Sequence, residues 1–179
     1  MSSRLKPSSS PWTKLVVLCG VLVAGLGISV LIGWHARNIA LTQVRPQFVA
    51  MQYLTAVGLG FGGAGLIAFA LRLPRILTIF FGGLMGMFGL LLGLEYLTGA
   101  HLGFDFLLSS FPAFPGETAL RPAPPTALCF LLGGVGVVLI GANPPRFRRP
   151  AIWLLASLTL ALCLMALCGY ATGLAGTYT

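Results

Sequence analysis

Five long apolar runs, at roughly 15–33, 52–71, 76–94, 126–142 and 151–170, are separated by short stretches rich in arginine, proline and polar residues. Each is close to the about 20 apolar residues that a helix needs to cross a bilayer. A soluble core helix would not run so far without charge. The pattern predicts an all-α fold: a polytopic transmembrane helix bundle of about five spans, each long run being one helix. Residues 1–14 are then a polar tail, 15–179 a single transmembrane domain, and 95–125 a long outer loop. Basic residues precede the first run, as in a signal peptide. The run exceeds the about 7–15 residues of a typical signal core, and no small-residue cleavage site closes it, so it reads as a retained helix.

Composition supports the pattern. Hydrophobic residues make up 57% of the 179 and charged residues only 8%, too few to cover a soluble domain. The net charge of +8 would suggest nucleic acid in a soluble protein. Here the basic residues flank apolar runs and read as anchors facing anionic lipid, so no nucleic-acid partner is expected. Arg4, Lys6, Lys14, Arg72, Arg75, Arg146, Arg148 and Arg149 fall on one side of the alternating spans, and only Arg37, Arg45 and Arg121 on the other. This bias puts the N-terminus in the cytoplasm and, after five spans, the C-terminus outside a bacterial inner membrane. Trp12, Trp34 and Trp153 fall at span ends, where interfacial anchors belong. Cys19, Cys129, Cys163 and Cys168 lie inside apolar runs without metal-finger spacing, and read as small hydrophobes.

The chain also repeats itself. Thr55-Ala56 and Thr126-Ala127 each open a glycine-rich run, and an offset of 71 residues then pairs Gly62 with Gly133, Gly63 with Gly134, Gly65 with Gly136 and Pro74-Arg75 with Pro145-Arg146. Tyr96-Leu97-Thr98-Gly99 answers Tyr170-Ala171-Thr172-Gly173 after three further residues. The second and third helices thus form a hairpin duplicated as the fourth and fifth, in parallel orientation. Small residues form stripes: Gly58, Gly62 and Gly65 on the second helix, Gly82, Gly86, Gly89 and Gly93 on the third, and Cys129, Gly133 and Gly136 on the fourth. Such stripes let helix backbones approach closely. They suit packing within the chain first, and packing against another membrane subunit or a second copy next. No cofactor is expected, though lipid or pigment would fit glycine grooves.

Polar chemistry gathers on the outer side. Glu95, Asp105 and Glu117 all fall in the outer loop, with His101 between them. Phe104 to Phe111 reads as a segment lying on the membrane surface, and Pro112 to Pro125 as an extended return. Glu95, His101 and Asp105 match no zinc or calcium spacing, and a hydrogen-bonded cluster tying the loop down fits them better. Glu95 sits at the interface, where an ionisable group needs a partner; Arg121 and Tyr170 are the candidates. His35 and His101 both lie outside the spans, which does not suit haem ligation. The spans hold no nucleophile with a base and no further strong acid, so neither an enzyme nor a proton-coupled transporter is expected.

Three segments, Pro46 to Ala56 (PQFVAMQYLTA), Leu94 to Asp105 (LEYLTGAHLGFD) and Ala123 to Leu132 (APPTALCFLL), resemble a bacterial membrane input domain. That domain stands at the N-terminus of many sensor histidine kinases and diguanylate cyclases, ahead of PAS and output domains. The resemblance runs from about His35 to Tyr178. It implies a polytopic module that receives a signal in or near the membrane and passes it to a cytoplasmic output. By position, its motif residues are Met51, Thr55, Glu95, Tyr96, Gly99, Gly103, Asp105, Thr126 and Thr172. The family carries asparagine before each Thr-Ala pair, whereas Leu54 and Pro125 stand there here. It also continues into a sixth helix and an output domain, and this sequence stops at Thr179. Two expectations follow: a sensory input module, or a structural accessory subunit of a larger membrane complex built on the same scaffold. Tyr96, His101, Arg121, Thr55 and Thr126 join Glu95 and Asp105 as candidate signal or partner contacts.

Overall fold

A computed structural model describes residues 10–43, 50–99, 123–142 and 149–172. Its helices are α1 (Pro11–His35), α2 (Ile39–Thr42), α3 (Tyr53–Ala70), α4 (Arg75–Thr98), α5 (Pro124–Gly141) and α6 (Arg149–Thr172). No strand occurs among the described residues. All except α2 are long and apolar enough to cross a membrane, the architecture of a multi-pass membrane protein.

Local chemistry sets the helix ends. Prolines open α1 and α5 at their first turns, where the missing N–H is no loss. Both α1 and α3 close with a left-handed residue, Arg37 at φ 53° and Arg72 at φ 54°. Beyond each, an amide reaches back to the helix: Asn38 N–H to the Gly33 carbonyl at 2.8 Å and Leu73 N–H to the Ala68 carbonyl at 3.0 Å. Gly99, at φ 65°, ends α4 with its N–H on the Glu95 carbonyl at 3.0 Å. Glu95, expected at the start of the outer loop, therefore lies inside the last turn of α4. The backbone stays helical until a residue free to turn left-handed arrives. The short α2 was not expected from hydrophobicity; Asn38 caps it by accepting from the Ala40 amide at 3.1 Å.

Helices with apolar residues on every side have no amphipathic face to direct their packing, and small residues do so instead. The most extensive interfaces are α4 with α5 and α1 with α3; α3 also touches α4 and α5, while among the described elements α6 touches α5 alone. Both major interfaces are antiparallel backbone contacts. A Cβ built at Gly63 of α3 would fall 2.5 Å from the Ala24 nitrogen of α1, and one at Gly27 would fall 2.5 Å from the Ala56 carbonyl oxygen. In the second interface, Gly134 of α5 meets the backbone of Gly86 on α4, and Gly89 meets the Ala127 carbonyl and the Leu131 amide. Adding 62 to the α1 numbers and 71 to the α3 numbers converts the first set of contacts into the second.

Candidate functional site

Buried Thr78 lies at one end of the bundle, while buried Thr42, Glu95 and Trp34 lie at the opposite end, where α1 and α4 finish and α3 and α5 begin. Trp34, 4% exposed, anchors α1 there. Its indole Nε1–H donates to the Met51 carbonyl at 2.9 Å, and the Met51 amide donates to the Thr42 carbonyl at 2.8 Å. Thr42 is buried and turns its hydroxyl onto the Ile39 carbonyl at 3.0 Å. Gly33 makes room for this arrangement, since a Cβ there would lie 2.7 Å from the Leu41 Cβ. The rings of His35 and Tyr53 stand 5.9 Å apart beside it, and His35 Nδ1 pairs with the Leu31 carbonyl at 2.8 Å. One indole thus ties together the end of α1, the segment through α2, and the entry to α3.

Glu95 is the only acidic side chain among the described residues and is 2% exposed. It lies one turn beyond Leu92, which packs with Leu54, Ala127 and Phe130 in a buried cluster spanning α3, α4 and α5. A second cluster at the same end joins Val30, Trp34 and Ala56, with Met51 and Tyr53 against it. Neighbouring Tyr96 is 41% exposed and points away from the core. Thr55 and Thr126 are half-buried and occupy matching places in the first turns of α3 and α5. The side chain of Thr98 satisfies its own helix, donating to the Leu94 carbonyl at 2.7 Å.

His101, Gly103, Asp105, Glu117 and Arg121 lie outside the described residues, as does the side chain of Tyr170. Among the described residues no three His, Cys, Asp or Glu side chains gather as a metal site.

The glycine stripes divide by use. A Cβ at Gly58 would meet the Phe130 ring at 2.5 Å, at Gly62 the Met85 sulfur at 2.9 Å, and at Gly65 Val137 at 2.9 Å. Gly82, Gly86 and Gly89 all face α5, and Gly133 faces the end of Met85. At Gly93 and Gly136 a Cβ would meet nothing within 4 Å, so neither takes part in close packing among the described residues. Gly20, Gly27 and Gly33 on α1, together with Gly63 and Gly134, make close contacts that the stripes did not include. Their signal was present as glycines six and seven apart along α1. A shallow open groove of about 250 Å³ runs between α4 and α5, floored by Gly82, Gly83, Gly86 and Gly134 and walled by Leu131 and Val138. Its apolar lining suits an acyl chain and offers nothing to a polar ligand.

Searches against protein-family models, curated proteins and solved structures find no match to this chain.

Proposed function

We propose that the chain is a signal-receiving membrane module of a bacterial signalling protein, with reception at the Trp34–Glu95 end of the bundle. One observation carries this reading. The first and third segments that resemble the input domain are far apart in sequence, yet Leu54 of one and Ala127 and Phe130 of the other pack around Leu92 in one buried cluster, and Glu95 of the second segment lies one turn further along α4. A motif whose pieces meet at one end of a bundle serves that end, and a buried carboxyl in a membrane protein is usually paired or functional. The positive side of the chain supports a cytoplasmic N-terminus, which puts this end on the periplasmic face of a bacterial inner membrane. The close-contact register of α1 with α3 recurs in α4 with α5, a division different from the α3–α4 and α5–α6 hairpins that the sequence offset of 71 pairs.

A second reading, a structural accessory subunit of a larger membrane complex, is favoured by Leu54 and Pro125, which stand where the input domain carries asparagine. It is favoured too by α6, whose most apolar 18-residue stretch has no buried residue among the described residues.

Purification from the native membrane, with intact mass and co-purifying proteins determined together, separates the two. The sensory reading expects a kinase or nucleotide-cyclase output in the same polypeptide or in stoichiometric complex. A mass of 18.8 kDa with stoichiometric, non-signalling membrane partners would replace it with the accessory role.

A further inference from the structure

α6 follows α4 position by position. Both helices have 24 residues and open on an arginine, Arg75 and Arg149, so an offset of 74 carries one onto the other. Near their ends Thr98 and Thr172 donate to the Leu94 and Cys168 carbonyls at 2.7 and 2.8 Å, in the same register. The face turned to the bundle agrees as well. Phe81, Met85 and Phe88 are half-buried on α4, and so are their counterparts Leu155, Thr159 and Leu162 on α6.

The two helices differ along one stripe. Gly82, Gly86 and Gly89 of α4 are buried beneath α5, as Gly20 and Gly27 of α1 are beneath α3. The equivalent residues of α6 are Ala156, Leu160 and Cys163, and all three are exposed. A stripe that an antiparallel helix covers twice in this molecule is bare the third time among the described residues.

We propose that Ala156, Leu160 and Cys163 form the docking face for a transmembrane helix of a partner protein, antiparallel to α6 with its N-terminus at the Thr172 end. The two interfaces already built show what such a helix carries. Each uses small residues seven apart, Ala56 and Gly63 on α3, Ala127 and Gly134 on α5, and helices in lipid associate through close packing of this kind. Leu160 argues for a partner as the source. Ala24 and Gly86 stand at that place in α1 and α4, where the facing backbones meet directly. A leucine holds two backbones apart and must enter a gap between facing side chains, as a knob enters a hole. Docking through side chains suits helices that have folded separately, whereas this chain closes its own pairs backbone to backbone. The partner therefore carries glycine or alanine opposite Leu160. Each of the other four spans already has its place in the bundle.

The test uses the full chain in its native membrane with the photocrosslinker p-benzoylphenylalanine in place of Leu160. The control carries it in place of Leu154, also exposed but about 120° around the helix. Irradiation should join position 160, and not position 154, to one other polypeptide. Mapping of the linked peptide should place it in a membrane span of opposite orientation, at a glycine or alanine with a second small residue seven positions away. Ala156→Trp should abolish that link yet leave the thermal midpoint of the purified chain in detergent unchanged, because Ala156 is exposed. Gly82→Trp, at its covered counterpart, should lower the midpoint. Links to a second copy of this chain, to a further span of the same polypeptide, to a span of parallel orientation or to lipid alone would each overturn the proposal. Equal linking at the two positions, or a midpoint lowered by Ala156→Trp, would do the same.

Discussion

Glycine is worth most in this molecule where the atom it lacks would strike backbone. At Gly134 an added methyl would meet the backbone of Gly86, which has no rotamer with which to yield. Gly134→Ala should therefore lower stability in detergent by about 1–3 kcal/mol, seen as a fall in thermal unfolding midpoint. Gly136→Ala, two residues on and facing open space, should be neutral or gain up to about 1 kcal/mol from helix propensity. Equal effects at the two positions would dissolve the distinction. Trp34→Phe keeps the ring but deletes the donor to the Met51 carbonyl. It should cost about 1 kcal/mol and raise the susceptibility of the segment before α3 to proteolysis. Glu95→Gln preserves shape in a site only 2% exposed and should perturb folding or packing more than any binding activity, read from thermal midpoint and signalling output side by side. Lost signalling output in a variant of unchanged stability would make Glu95 a reception residue instead.

At the level of single helices, end chemistry decides what the chain does next. Gly99 adopts φ 65° to stop α4, and Gly99→Ala should cost about 1 kcal/mol through the left-handed turn. Arg72 holds a similar φ of 54° in the α3–α4 turn. Arg72→Gly should recover a comparable amount in detergent, where its role as a lipid anchor is not engaged. The apolar runs made all five spans legible in the sequence, because a bilayer demands length and hydrophobicity and little else. Their ends were less legible. Caps depend on single residues such as Asn38 and Gly99, whose conformations hydropathy does not record. Stripe membership was a partial guide for a geometric reason. Gly89 and Gly93 share a face of α4, yet only Gly89 meets α5, because crossing helices touch over a limited length and then diverge. The site was legible to the same degree. Glu95 stood out as an acid beside a span, but the Trp34–Met51 bond joins side chain to backbone across 17 residues, and no spacing rule anticipates it.

Across the whole molecule the interfaces are unequal. Among the described elements the α1–α3 and α4–α5 pairs carry the close backbone contacts, α3 joins the pairs, and α6 touches α5 alone. Mechanical extraction from a bilayer by the C-terminus should therefore release α6 first, as a separate step at low force, before the remaining spans leave. Simultaneous release of α6 with α5 would contradict the hierarchy. The contact between α4 and α5 has another consequence. Where Gly86 and Gly134 let two backbones meet, neither helix can swivel about its own axis. A turn of one residue, about 100°, would drive Met87 or Val135 into the space that glycine leaves empty. The two helices are thereby locked into a single strut, and a push on the Glu95 end travels to Arg75 as a tilt of the whole beam, with no torsion to dissipate it along the way.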